Sequence, residues 1–206
     1  MKIGVRARFL RKAGSIREFL GIRALTPIFL VLAGTAFAQT EEARTLAIDG
    51  GASIAYTLRR HPPEATSAGD AKVLAPKSAL DTAKLLNLHL TTGNIEEAAL
   101  LSNAPRRRFE ELANFKQTYG DDEFKRVFAE YFDARNSLVA EIVIDKHSLL
   151  VWRLGVPSKS GPPTPYYAGQ YFVDVDGRYL VDDVPNDVRT QLRWVLEAYR
   201  SGKLAP

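Results

Sequence analysis

Residues 172–187, FVDVDGRYLVDDVPND, hold five aspartates: Asp174, Asp176, Asp182, Asp183 and Asp187. That density suggests an acidic metal loop. A calcium loop of the helix-loop-helix type needs oxygen ligands at its first and last positions and a glycine at the sixth. With Gly177 as that glycine, the first position falls on Phe172, which has no oxygen to offer, and the last on Asp183. Asp176-Gly177, by contrast, is a favoured two-residue turn between two β-prone runs. The stretch is read as a hairpin, with Asp182 and Asp183 closing the second strand and Asp187 in the first turn of a following helix, where the dipole favours an acid. No cofactor or metal is expected.

Glu141 is the second candidate. Strands at 138–145 and 148–154 around a Lys146-His147 turn would pair Glu141 with Trp152 and Val143 with Leu150. Glu141 then shares a face with Val139, Val143, Leu150, Trp152 and Leu154. A carboxylate on an apolar face is costly unless it is paired. In a cavity it would be a candidate base; an arginine partner or an open sheet end would make it structural. The second hairpin pairs Tyr171 with Asp182 and Phe172 with Val181, which makes Asp182 the other candidate base. Trp152 and Tyr171 are the candidate binding residues.

Other chemistry finds less footing. His61, His89 and His147 share no metal-ligand spacing, and His147 in a two-residue turn is expected at the surface. Ser53 in GGASIAY is not at a strand-to-helix elbow, so a serine hydrolase has no support. Arg106-Arg107-Arg108, next to Glu110 and Glu111, reads as a solvated helix face. With no cysteine there is neither a disulfide nor a thiolate nucleophile.

The elements that position these residues follow from pattern. TLAIDGGASIAYTLRR (45–60) reads as a hairpin turning at Asp49-Gly50, and the Pro- and Gly-rich stretch 61–77 as a linker that lets the hairpin sit apart. Ser78 with Asp81, Asn94 with Glu97, and Pro105 mark three helix starts, and Asp121-Asp122 a fourth. After the two strand hairpins, with a loop at 158–165 between them, Asn186 caps a last helix. In that helix Val188, Leu192, Val195, Leu196 and Tyr199 form the apolar stripe.

GNIEEAALL (93–101) and YFVDVDGRYLVDD (171–183), with helices preceding antiparallel strands, resemble the nuclear-transport-factor-2-like superfamily, with its polyketide-cyclase-like and ketosteroid-isomerase-like branches. The resemblance covers about residues 78–185. It implies helices packed on a curved sheet, forming a cone with a pocket, and a small apolar ligand or substrate. This chain departs from the pattern by an extra N-terminal hairpin and a terminal helix. No catalytic position of that family transfers to a numbered residue here.

Residues 1–38 read as a signal peptide: a basic stretch, the apolar run LTPIFLVLAGTAFA, and Ala36-Phe37-Ala38 before Gln39. The apolar run is shorter than the roughly 20 residues of a bilayer span. Removing seven basic residues and one acid from 28 and 24 leaves 21 against 23, a formal charge of −2, so nucleic acid is not an expected partner. The expectation is an exported, periplasmic or secreted, α+β protein: a hairpin and linker at 39–77 and a cone-like domain at 78–206. It is expected to bind a small apolar ligand or a periplasmic protein rather than to catalyse. The alternatives are an isomerase or hydratase with a pocket carboxylate as base, and a membrane-tethered accessory protein that keeps its leader.

Overall fold

The computed structural model describes residues 40–48, 50–62, 76–129, 133, 136–156 and 164–204. The leader, most of the linker, residues 158–163 of the proline-rich loop and Asp49 lie outside them.

Alternate burial of Ile54, Tyr56 and Leu58 marks β2 (Ser53–Arg60), which pairs with the mostly exposed β1 (Thr40–Ala47) from Thr40↔Arg60 to Ala47↔Ser53. The connection is wider than the expected two-residue turn. The Ile48 N–H donates to the Ala52 carbonyl at 2.9 Å, and Gly50 and Gly51 take φ of 91° and 81°. Two consecutive glycines supply the left-handed backbone that a longer loop needs. Nor does the hairpin sit apart. Thr57, Leu58 and Arg59 pair with Val143, Ile142 and Glu141, so it continues the main sheet.

The helix starts lie where the caps place them. The Ser78 hydroxyl accepts from the Asp81 N–H at 3.1 Å ahead of α1 (Ala79–Thr91). Asn94 caps α2 (Ile95–Leu100). Pro105 opens α3 (Pro105–Tyr119), where its missing N–H is no loss. Asp121, Asp122 and Glu123 open α4 (Asp121–Ala129).

Next come β3 (Ser137–Ile144), β4 (His147–Val156), β5 (Thr164–Val175) and β6 (Arg178–Val181), then α5 (Asp187–Arg200). The Asn186 side chain caps α5 by accepting the Arg189 N–H at 2.7 Å. The six strands form one open antiparallel sheet in chain order, β1 to β6, so the class is α+β with a C-terminal helix.

Each sheet face has its own core. Leu150, Trp152, Ala168, Phe172 and Val181 pack under α1–α4 with Leu80, Ala83, Leu86, Leu112 and Phe124. On the other face Ile54, Tyr56, Leu58, Ile142, Leu149 and Val151 pack under Leu192, Val195, Leu196 and Tyr199 of α5. A bulge between Leu138 and Ala140 turns Leu138 toward the α1–α4 core and Val139 to the α5 side, against the expected alternation.

Candidate functional site

The β3–β4 turn is Asp145-Lys146, with Asp145 at φ 53°, not Lys146-His147. Glu141 therefore faces Leu150 rather than Trp152, although all three remain on one face. The one-residue shift also corrects His147. It is the first residue of β4 and only 8% exposed, not a surface turn residue.

Glu141 is 2% exposed. Its Oε2 lies 2.7 Å from His61 Nε2, just past the end of β2, and its Oε1 lies 3.7 Å from Arg59 Nη1. The Arg59–Glu141 neighbourhood is fixed by the β2–β3 register. Trp152 is part of the α1–α4 core at 1% exposure, and its indole N–H donates to Gln170 Oε1 at 3.0 Å.

Asp182 and Asp183 anchor a buried polar network at one end of the sheet. Asp182 Oδ1 accepts from Asn103 Nδ2 at 2.8 Å. Its Oδ2 lies 3.0 Å from His147 Nδ1 and accepts from Asn186 Nδ2 at 3.1 Å. Asp183 Oδ2 accepts from the Ser102 hydroxyl at 2.6 Å, and both its oxygens take Arg108 in a fork at 2.8 Å each. Backbone bonds complete the join: Val181 N–H to the Leu101 carbonyl at 2.7 Å and Asn103 N–H to the Val181 carbonyl at 3.0 Å. The α2–α3 connection thus covers the free edge of β6, which would otherwise present unpaired backbone groups.

Tyr171 lies on the opposite sheet face from Trp152, so the two proposed binding residues do not meet. Burial pushes the Tyr171 phenol above its ordinary pKa, while the guanidiniums of Arg193, Arg189 and Arg200 pull it down. The structure brings together neither Glu141 with Asp182 nor Trp152 with Tyr171.

The cleft that the sequence did not announce lies on the α5 side. Leu46, Ala47 and Ile48 at the end of β1 face Trp194, Glu197, Ala198, Ser201 and Lys203 across a cavity of about 490 Å³. Trp194 is 46% exposed on its wall. A signal existed: Trp194 falls outside the stripe formed by Val188, Leu192, Val195, Leu196 and Tyr199, so a large apolar ring had to face something other than the sheet.

Among the described residues no helix is long and apolar enough to cross a membrane. Comparisons with protein-family models, curated proteins and solved structures found no match to the chain.

Proposed function

We propose that the protein is a binding module that takes a small apolar ligand in the cleft between the end of β1 and the C-terminal half of α5, and that it works after export, as its leader implies. The observation that carries this reading is the half-exposed Trp194 ring on the wall of a cavity of about 490 Å³. Ligand sites fall in the range of roughly 300–1,000 Å³, mostly apolar with a few polar groups that fix orientation. Leu46, Ala47, Ile48 and Ala198 give the apolar wall, and Glu197, Ser201 and Lys203 the polar points. Binding is favoured over an isomerase or hydratase because both candidate bases are occupied. Glu141 faces His61 and Arg59, and Asp182 faces Asn103, His147 and Asn186.

The test is titration with a neutral naphthylamine dye, read by energy transfer from tryptophan. A Trp152→Phe variant leaves Trp194 as donor, and a Trp194→Ala variant removes it from the wall. Saturable binding is expected, retained in Trp152→Phe. It should be weakened about tenfold in Trp194→Ala, or about 1.4 kcal/mol, by a displacement assay that needs no tryptophan. Equal dye affinity in wild type and Trp194→Ala would remove the cleft from consideration.

A further inference from the structure

The flank of α5 away from Trp194 carries a second, chemically different feature. At about 100° per residue, Arg189, Arg193 and Arg200 fall within about 40° of one another beside the buried stripe. All three bear on tyrosines of β5. Arg189 Cζ lies 5.1 Å from the Tyr171 ring centroid, and the Arg193 guanidinium, one helical turn on, is near enough to pull the Tyr171 phenol pKa down. Arg200 lies over Tyr166 at 5.2 Å and donates to its hydroxyl at 2.9 Å.

Arg200 is neutralised by Glu197 at 2.7 Å. Among the described residues, Arg189 and Arg193 are in no ion pair. Like charges four residues apart on a helix repel, and the Arg189 Nε is buried with no hydrogen-bond partner. A buried donor left unmade is a liability. A bound anion would relieve the repulsion between the two guanidiniums.

We propose that Arg189, Arg193 and the Tyr171 hydroxyl form a binding site for a phosphate group. A neutral Tyr171 hydroxyl carries a hydrogen that it can donate to an anion. Two guanidinium forks and one hydroxyl suit a tetrahedral phosphate with several peripheral oxygens better than a carboxylate with two. Burial of Tyr171 keeps the phenol protonated as a donor. Arg189 stands in the first turn of a 14-residue helix, whose dipole adds to the attraction. The phosphate belongs either to a soluble compound or to an anionic lipid headgroup.

The experiment uses the mature chain at constant ionic strength, with inorganic phosphate as probe in calorimetry and phosphatidylglycerol vesicles in co-sedimentation. Arg193 is exposed, so Arg193→Ala should fold normally; Arg189→Lys keeps the partly buried charge but loses the fork. Saturable binding of wild type is expected, with affinity falling about tenfold in either variant. Trp194→Ala should bind phosphate as wild type does, which separates this site from the apolar cleft. Binding of inorganic phosphate without vesicles assigns a soluble ligand; Arg193-dependent vesicle binding assigns a headgroup. Failure of wild type to bind either probe saturably, or wild-type affinity in Arg193→Ala, overturns the proposal.

Discussion

The Arg106-Arg107-Arg108 triplet divides at its third member. Arg106 and Arg107 pair with Glu110 and Glu111 four residues on, as a solvated helix face does. Arg108 turns inward to the Asp183 carboxylate, which also holds the Ser102 hydroxyl. Exposed pairs of the first kind contribute little. Removing one side of a buried, bidentate pair strands the other. Asp183→Ala should therefore cost about 3 kcal/mol in urea denaturation, whereas Glu110→Ala should cost less than about 1. Near-equal losses would show that the Asp183 network is not what fastens β6. The partition was not legible in the sequence, because Asp183 and Arg108 are 75 positions apart and neither local pattern points to the other. For the same reason the sequence allowed an arginine partner for Glu141 but could not say which: Arg59 and His61 lie about 80 positions upstream.

Elements were read best where turn and cap chemistry is local. Ser78, Asn94, Pro105 and Asn186 each mark a helix start, and Asp176-Gly177 is the β5–β6 turn, with φ of 54° and 78°. The Asp174 carboxylate accepts the Gly177 N–H at 2.8 Å and supports that turn. Gly177→Val should destabilise the protein by about 1 kcal/mol or more, since a β-branched residue resists positive φ. Chemical denaturation measures it, and an unchanged midpoint would mean that the turn relaxes without cost. The β3–β4 turn misled because its left-handed residue is Asp145, one step before the Lys146-His147 pair, and no glycine marks it. Aspartate tolerates that backbone through its short polar side chain. With the turn one residue earlier, His147 begins β4 and is buried.

The β1–β2 hairpin and α5 share the core on one sheet face. Their joint core includes Tyr56 from β2 and Tyr199 from α5, both buried. The linker composition suggested a separate hairpin, because strand pairing across the four intervening helices leaves no periodic trace. Burial raises the pKa of both phenols above 10.0, with Arg44 pulling in the opposite direction at each. A tyrosine is neutral below its pKa, and its unfolded value is about 10. Since the folded values are higher, the fold favours the neutral phenol. The associated stability is complete below about pH 10 and is lost as pH rises through the folded pKa. The melting temperature should hold steady between pH 8 and pH 9, as about one unit below that threshold, and fall at about pH 11. A Tyr56→Phe, Tyr199→Phe double variant removes both ionisations while keeping the rings, so its alkaline fall should be shallower. Parallel pH profiles for the two proteins would place the alkaline transition elsewhere and would argue that hairpin and helix do not share a single buried core.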